Sequence, residues 1–248
     1  MEIFVIEANM NMITIKGATK SFLDTFGIPI YWMRQNVWEL HACWVRLWSI
    51  LPVQKFRMRK ILKQNSVRLN FGCGATHYES WVGVDQIFSR NVSLVLDLRR
   101  PLPFPEESVD LCYSEHFLEH LYPEEGQRHL KEVCRILRPS GRYRVAVPDV
   151  MKFVQRYLAG DDAFFCLAFP WANRPMEAVY AVANWAGEHR NILDFAELEY
   201  LGKIAGFDVV VRSEANTSDI PELRIDKADP QRVAESLYLE FIKRDSPR

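Results

Sequence analysis

Two glycines and one aspartate lie close together in the sequence and could form a nucleoside-binding site. Gly72 and Gly74 follow residues 67–71, a short and mostly apolar run that is typical of a buried parallel strand. Glycine lets the backbone turn sharply and approach a ligand closely. Asp85 ends a second apolar run, residues 81–84, where its carboxylate could accept hydrogen bonds from both hydroxyls of a ribose. This pattern indicates a pocket for a nucleoside cofactor.

The spacing of these residues discriminates between nucleoside cofactors. A dinucleotide site needs a third glycine, a helix whose N-terminal amides bind the pyrophosphate, and an acid about 20 residues further on. Here position 77 is His77, Asp85 follows Gly72 by only 13 positions, and the nine residues 72–80 leave little room for a helix. S-adenosylmethionine has a ribose and an adenine, no phosphate and a cationic sulfonium, so it suits the site better. A strand-to-helix turn that binds no ligand stays open as the alternative.

Two further predicted strands add polar groups beside this pocket. Residues 93–96 form the third apolar run, and it ends in Asp97 and Leu98, which could offer a carboxylate and a backbone amide to an adenine edge. Residues 109–114 form the fourth run, and the segment EHFLEHL that follows it is predicted to be helical.

The chain resembles the class I S-adenosylmethionine-dependent methyltransferases at several motifs between residues 66 and 243. The matching segments are LNFGCG, GVD, LDL, PLPFPEESVDLCYSEHFLEHL, LKEVCRILRPSGRYRVAVPD and FAELEYLGKIAGF. The likeness is greatest to the small bacterial, type 11-like branch, which is often linked to polysaccharide or secondary-metabolite biosynthesis. It implies an α/β fold with a doubly wound, Rossmann-like sheet of seven strands, mostly parallel with a C-terminal antiparallel strand.

The resemblance also implies S-adenosyl-L-methionine as the cofactor and an oxygen of a sugar or other small metabolite as the methyl acceptor. Two alternatives stay open. One is an enzyme of the same fold that catalyses a non-methylating reaction such as cyclisation, and the other is a non-catalytic partner subunit of another methyltransferase. The implied cofactor-binding residues are Phe71, Gly72, Cys73, Gly74, Asp85, Gln86, Asp97, Leu98, Ser114 and Glu115.

Three side chains could act as the general base for a neutral acceptor or hold that acceptor in place. His116 follows the fourth predicted strand, and an imidazole titrates close to neutral pH. His189 ends the aromatic segment described below, and Asp194 follows it closely enough to orient it. Asp149 ends the fifth predicted strand at the carboxyl edge of the sheet, where ligands bind in open α/β folds. A purely structural role is the alternative for each of the three.

We expect no metal site. Asp149, Asp161 and Asp162 form the acid group that this prediction places near the mouth of the pocket, but adjacent carboxylates in an aromatic loop are more often solvated or helix N-caps. Glu119 and His120 belong to the Leu-Glu-His pattern of the family, and we expect them to tie their helix to adjacent loops.

The chain divides into an N-terminal helical extension or cover, residues 1–65, and a methyltransferase domain, residues 66–248, with an aromatic lid insert at about 160–190. We predict an amphipathic helix that covers the sheet or the cofactor mouth, with a membrane-surface contact or a homodimer contact as alternatives. Its apolar stripe contains Met33, Val37, Leu40, Trp44, Leu47 and Leu51, and a basic cluster follows with Lys55, Arg57, Arg59, Lys60 and Lys63.

The remaining elements complete a doubly wound sheet. We predict helices at 124–137 and 195–205, a fifth strand at 143–147, and a final pair of strands at 207–211 and 236–242, which the resemblance makes an antiparallel hairpin. The polar segment 213–230 between these last strands is predicted to be mobile or to overhang the substrate.

Composition narrows the partners and the compartment. The net charge is −1, so no global basic field would recruit nucleic acid, and a small-molecule or saccharide acceptor is the expected partner. Five cysteines without Cys-x-x-Cys spacing indicate a reducing, cytoplasmic location. We identify no signal peptide and no apolar run of membrane-spanning length.

Overall fold

A seven-stranded sheet organises the computed structural model, which describes residues 25–27 and 29–244. Within these residues the strand order is β3-β2-β1-β4-β5-β7-β6. The first five strands run parallel, and β7 lies antiparallel to both β5 and β6. This confirms the predicted fold class. The strands are β1 Arg68–Phe71, β2 Val82–Asp85, β3 Leu94–Val95, β4 Val109–Glu115, β5 Leu137–Pro148, β6 Val209–Ser213 and β7 Ser236–Ile242.

Helices cover both faces of this sheet. In the described part of the chain they are α1 Ile30–Ser49, α2 Pro52–Ile61, α3 Pro123–Ile136, α4 Val150–Leu158, α5 Asp162–Ala168, α6 Pro175–Asn184, α7 Phe195–Ala205 and α8 Pro230–Glu235. The predicted helix at 195–205 has the bounds of α7, and the one at 124–137 agrees with α3 to one residue at each end. Among the helices that the structure describes, none is long and apolar enough to cross a bilayer.

The order of the strands determines where a ligand can bind. The chain leaves β1 toward β2 and β3 on one side, and then returns to β4 and β5 on the other side. The carboxyl ends of β1 and β4 therefore flank a topological switch point, which is where open α/β sheets bind ligands. Strand β1 pairs with β4 from Arg68 to Phe71, so the glycine turn and Glu115 end at the same edge.

The segment EHFLEHL is not an α-helix, and that prediction is wrong. It forms a short 3₁₀ turn, Leu118–His120, and α3 begins only at Pro123. His116 has a φ of 50°, a left-handed conformation that interrupts helical geometry directly after β4. The start of α3 is fixed by proline at its first position and by the Glu125 carboxylate, which accepts a hydrogen bond from the Tyr122 N–H at 3.0 Å.

The polar segment 213–230 is anchored to the sheet. Arg144 on β5 is fully buried and donates from Nε to Asp226 Oδ1 at 3.0 Å. The same guanidinium donates to the backbone oxygens of Glu214 at 2.8 Å and Thr217 at 3.0 Å. The expectation of a free, mobile loop does not agree with these contacts, because the segment folds around a buried cation that belongs to the sheet.

Helix α1 packs against the sheet through its polar side. Ala42 and Val45 are buried, and His41 and Arg46 bond to residues at the ends of β2 and β3. The predicted apolar stripe points the other way: Leu40, Trp44 and Leu47 are 70%, 56% and 61% exposed. The interpretation of this stripe as the buried face is therefore wrong, since polar groups at the sheet edge select the opposite face.

The segment predicted as an aromatic lid forms a small apolar cluster of its own. Phe153 on α4 is fully buried and packs edge-on against Phe164, with the ring centroids 4.9 Å apart. Phe165 and Phe169 also contact the Phe153 ring. This cluster fixes α4, α5 and α6 as one unit beside the carboxyl edge of the sheet.

Candidate functional site

The glycine turn follows β1 directly. Gly72 and Gly74 have φ values of 63° and 53°, which side chains other than glycine rarely adopt. A Cβ atom on Gly72 would lie 2.7 Å from the Phe117 ring, so the turn and the segment after β4 pack in direct contact. Residues 72–81 contain no helix, as the short spacing predicts.

Asp85 joins the end of β2 to this turn. Its Oδ2 accepts from the Gly74 N–H at 2.7 Å, and its Oδ1 accepts from the N–H groups of Gln86 at 2.6 Å and Ile87 at 3.1 Å. Burial raises the pKa of Asp85, while the three N–H donors act against that rise. A carboxylate has about four lone-pair sites, so acceptor capacity remains for a ligand hydroxyl.

Gln86 and Cys73 lie beside Asp85, and only Gln86 has a polar side-chain group free to bind a ligand. The Gln86 side-chain nitrogen is buried and has no hydrogen-bond partner among the described residues, which makes it a free donor. Its backbone oxygen lies 2.9 Å from His41 Nε2 of α1. The Cys73 thiol is buried against Val45, and burial raises its pKa to about 12, so it behaves as an apolar side chain. The Phe71 ring packs inside the core against His129.

Asp97 lies at the end of β3, and two arginines bind it. Arg99 donates from Nε to Oδ1 at 2.9 Å, and Arg46 of α1 donates from Nε to Oδ2 at 2.8 Å. Burial by itself would raise the pKa of Asp97, but the hydrogen bonds from Arg99 and Arg46 outweigh it and lower the pKa. Arg99 also pairs with Glu39 of α1 at 2.6 Å. The N-terminal helix is thus held at the predicted adenine end of the site.

Leu98 is positioned by a histidine that sequence reasoning missed. His129 of α3 lies with Nδ1 at 3.0 Å from the Leu98 carbonyl oxygen and is almost fully buried. Burial lowers the pKa of His129 to about 4. The rings of Phe71, Phe117 and Tyr143 surround it at centroid distances of 5.0, 5.1 and 6.2 Å. Its only sequence signal is a place on the buried face of a predicted helix.

Ser114 and Glu115 end β4 on different sides. The Ser114 hydroxyl lies 2.7 Å from the Tyr143 hydroxyl inside the core. Glu115 pairs with Arg232 of α8 at 3.2 Å and with Lys227 at 3.9 Å. Burial raises the pKa of Glu115 despite these cations. The structure therefore places Glu115 against the C-terminal segment.

His116 leads into a cluster of histidines around Glu119. Its Nε2 lies 2.8 Å from the Ser236 hydroxyl, and its Nδ1 lies 3.5 Å from Glu119 Oε1. Burial lowers the pKa of His116 well below its ordinary value, so the ring is neutral at pH 7. Glu119 is only 2% exposed, and burial raises its pKa to about 8.

His189 lies in the same cluster, although it follows Glu119 by 70 positions in the sequence. The backbone N–H groups of Arg190 and Asn191 donate to the Glu119 carbonyl oxygen at 2.8 and 3.1 Å. The ring centroids of His189 and His120 are 5.1 Å apart. Burial lowers the pKa of both histidines, that of His189 to about 4.

The predicted orienting partner of His189 is replaced by a different group. His189 Nδ1 lies 2.9 Å from the Val182 carbonyl oxygen. Asp194 instead caps α7, where it accepts from the Glu197 N–H at 2.8 Å. The ring of Trp185 stacks on His189 at a centroid distance of 6.3 Å.

Two of the three aspartates weighed as a metal group, Asp149 and Asp161, serve as helix caps. Asp149 caps α4 by accepting from the Lys152 N–H at 3.0 Å, and its other oxygen lies 3.4 Å from Arg212. Asp161 caps α5 and pairs with Arg156 at 2.8 Å. Asp149 thus lies at the predicted edge, but helix capping and an arginine occupy its oxygens.

One short segment connects the two halves of the site. Phe117 packs on Gly72 of the cofactor turn, and Glu119, two residues later, faces the histidines. The arrangement can bind a nucleoside on one side and can accept a proton or bind a ligand through imidazoles on the other.

Residues 82–145 match the sequence model of the family described as Methyltransferase domain, which confirms the resemblance over β2 to most of β5. No curated protein sequence matches the chain. One similar solved structure is a chain of the complex between the Haloferax volcanii Trm112 methyltransferase activator and a methyltransferase. The two sequences are 14% identical, the match covers 76% of this chain and 89% of that chain, and the TM-score is 0.46. The YcgJ protein of Bacillus subtilis has 14% identity, 77% and 98% coverage, and a TM-score of 0.42. A SAM-dependent methyltransferase of Thermotoga maritima has 18% identity, 75% and 86% coverage, and a TM-score of 0.43.

Proposed function

We propose that this chain binds S-adenosylmethionine and methylates an oxygen of a sugar or other small metabolite. The proposal starts from the methyltransferase fold and from the family match of residues 82–145. The observation that carries the donor half is the 2.7 Å contact between the Gly74 N–H and the Asp85 carboxylate. This contact supports the proposal because it joins the glycine turn, at the switch point of the sheet, to a carboxylate that could accept from ribose hydroxyls.

The residues around this contact fit S-adenosylmethionine. The Gln86 side-chain nitrogen is a buried hydrogen-bond donor that the described residues leave without a partner, and the Asp85 carboxylate beside it can still accept a hydrogen bond. A side chain at Gly72 would collide with the Phe117 ring, so the turn requires glycine at this position. The absence of a helix from residues 72–81 fits a cofactor without a phosphate group.

The adenine end would be closed by α1. Arg46 and Arg99 already bind the Asp97 carboxylate that the resemblance assigns to adenine. Five N–H groups of Arg46 and Arg99 already use the acceptor capacity of Asp97, so the adenine contact would come from the backbone amide of Leu98, which His129 fixes. Binding of S-adenosylmethionine would then change the contacts of α1.

On the side proposed for the methyl acceptor, the chain has neutral imidazoles and apolar side chains that would exclude water. The bound donor would supply a methyl group that its sulfonium has already activated. His116 is neutral at pH 7 because burial lowers its pKa, so it could accept the acceptor's hydroxyl proton at one of its ring nitrogens. The aromatic cluster around Phe153 fixes the helices beside this edge of the sheet, and these helices would exclude water from the acceptor.

Calorimetric titration with S-adenosylmethionine tests the donor site. We expect Asp85→Ala to weaken binding at least tenfold, since a hydrogen bond to a charged group contributes about 1.5–3 kcal/mol and tenfold corresponds to about 1.4 kcal/mol. Asp85→Asn would show the same trend in a protein of nearly unchanged shape.

Asp110→Ala is the matched control for this titration. Asp110 also accepts from a backbone N–H, that of Val67 at 2.7 Å, but it lies at the opposite, amino edge of the sheet. Its loss should leave the affinity for S-adenosylmethionine unchanged. Parental affinity in both Asp85 variants would refute the assignment of the site.

Mass spectrometry of reactions with candidate saccharides and small alcohols tests the acceptor half. The expected product carries one added methyl group, and S-adenosylhomocysteine appears in equal amount. A product of unchanged mass formed in the presence of the donor would instead identify a non-methylating enzyme of the same fold.

A further inference from the structure

We propose that Glu119, His120 and His189 bind a divalent transition-metal ion, with Zn²⁺ as the representative. One carboxylate oxygen and two imidazole nitrogens of these residues lie within 4.8 Å of one another. Metal binding at this position does not depend on the proposed methyl transfer, because it can be measured without donor or acceptor.

The distances allow coordination after small side-chain movements. Zinc binds imidazole nitrogens and carboxylate oxygens at about 2.0–2.2 Å, so neighbouring ligand atoms in a tetrahedral site lie about 3.4 Å apart. His120 Nε2 already lies 4.0 Å from Glu119 Oε1. Coordination therefore requires the three ligand atoms to approach one another by up to about 1.4 Å.

The backbone orients both imidazoles as metal ligands. His120 Nδ1 lies 3.2 Å from the Glu188 carbonyl oxygen, and His189 Nδ1 lies 2.9 Å from the Val182 carbonyl oxygen. A carbonyl can only accept, so each Nδ1 carries the proton and each Nε2 carries the lone pair. Metal-binding histidines characteristically donate their other ring N–H to such a group.

Glu119 supplies a second and independent observation. Its side chain is 2% exposed, and neither carboxylate oxygen has a hydrogen-bond partner within the described chain. The nearest basic atoms are His116 Nδ1 at 3.5 Å and His120 Nε2 at 4.0 Å. A buried carboxyl group without hydrogen bonds is costly, and a cation between it and the two imidazoles would give its oxygens a partner.

The donor set selects the class of ion. Two imidazole nitrogens and one carboxylate oxygen suit Zn²⁺ or Fe²⁺, whereas Mg²⁺ and Ca²⁺ prefer ligands that are all oxygen. Three protein ligands leave an open position for water or for an acceptor hydroxyl.

The first test is a competition titration of the chelator-treated full chain with Zn²⁺ and a chromophoric chelator. We expect one equivalent to bind tightly, and we expect His189→Ala to weaken binding at least a hundredfold. His189 is only partly buried, so this variant should fold, which circular dichroism would check. His77→Ala is the matched control, because His77 is exposed and lies outside the cluster.

Cobalt substitution identifies the ligands. Cys43 and Cys166 are exposed thiols that could bind zinc adventitiously. We expect the Co²⁺ spectrum to lack the intense charge-transfer band of thiolate ligation and to lose its d–d bands in His189→Ala. Tight binding that persists in His189→Ala, or a thiolate band, would overturn the proposal, as would the lack of a tight equivalent in the parent.

A second surface carries an independent inference. The outward face of α1 and α2 exposes apolar side chains, and we infer that it docks on an anionic lipid bilayer. The exposed members are Trp32 at 56%, Leu40 at 70%, Trp44 at 56%, Leu47 at 61%, Ile50 at 64% and Phe56 at 69%. A contiguous apolar face of this kind usually marks an interaction site.

Charge complementarity selects an anionic lipid surface as the occupant. Residues 40–78 contain no acidic residue. On α2, the buried residues Gln54 and Ile61 place Phe56 on the opposite side, among basic residues that are all exposed. An apolar face flanked by lysine and arginine is typical of helices that lie in the bilayer interface. The basic residues are Lys55, Arg57, Arg59, Lys60 and Lys63.

Vesicle flotation tests this surface with the full chain. We expect binding to vesicles that contain phosphatidylglycerol and at least tenfold weaker binding to phosphatidylcholine alone, since each basic residue near the surface contributes about 1 kcal/mol. Leu47→Ser and Lys60→Glu should each reduce binding to the anionic vesicles. The controls Tyr200→Ser and Lys131→Glu change exposed residues of α7 and α3 and should not.

Two results would overturn this inference. One is equal binding to both kinds of vesicle, because it would remove the role of charge. The other is a dimer in sedimentation that Leu47→Ser dissociates, with no vesicle binding by the parent, because it would assign the face to a second copy of the chain.

Discussion

His129 makes the stability of this protein depend on pH in a calculable way. The ring is 1% exposed, its Nδ1 donates to Leu98, and its Nε2 is buried without a hydrogen-bond partner in the described structure. Protonation would therefore place an uncompensated charge in the core. This burial lowers the pKa from its ordinary 6.5 to about 4.

The sign follows from which state binds the proton first. As the pH falls below 6.5 the unfolded chain becomes protonated at this residue, while the folded protein resists protonation until about pH 4. Stability is thus complete above pH 6.5 and is lost as the pH falls from there to 4. From these two pKa values, His129 alone should lower the free energy of unfolding by about 2 kcal/mol between about pH 7.5 and about pH 5.

Urea unfolding followed by tryptophan fluorescence at several pH values measures this loss. His129→Asn keeps an N–H donor for the Leu98 carbonyl and cannot titrate. Its fall in stability over the same pH range should be smaller than the parent's by about 2 kcal/mol. The other buried histidines contribute equally to both proteins, and His77→Asn should behave as the parent. Equal pH slopes in the parent and His129→Asn would refute the reasoning.

Three further outcomes follow from packing and burial. Gly83→Ala should destabilise the fold by about 1–3 kcal/mol, because the new Cβ would lie 2.3 Å from a backbone oxygen. Gly126→Ala should be neutral or stabilising, because the atom nearest to its Cβ would be 4.0 Å away. Thermal unfolding of both variants checks this contrast. Asp226→Ala should cost about 3–5 kcal/mol in urea unfolding, since it leaves the buried Arg144 short of its main partner, and a loss under 1 kcal/mol would contradict that role. Thiol titration of the native protein should give two fast and three slow cysteines, and five fast ones would contradict the described burial. The fast ones are Cys43 and Cys166.

The cofactor turn is predictable from sequence because it depends on near neighbours. Gly72, Gly74 and Asp85 lie within 14 residues, and two short parallel strands bring them together. The sheet is predictable for the same reason, since each strand is a short apolar run that ends at a polar or glycine residue. Errors at the strand ends reach six residues for β5, which begins at Leu137 where the prediction starts at 143.

The histidine cluster is not predictable from any local pattern. Glu119 and His189 meet because backbone N–H groups after the lid segment donate to the Glu119 carbonyl oxygen. No spacing in the sequence encodes that pairing. The orientation of α1 has the same origin, since Arg46 finds its partner Asp97 51 positions away. An apolar stripe indicates amphipathicity, but it does not say which side the sheet contacts.

Strand β7 is the last of the seven strands in the described part of the chain, yet it lies between β5 and β6. During synthesis, β5 therefore presents an open edge until β7 has emerged, and β6, made earlier, has no place on the sheet before then. Completion of the sheet must await this strand, so the β5 edge stays open to wrong pairing while residues 149–242 are made. A truncation that removes β7 would expose the β5 edge and leave β6 without the strand it pairs with.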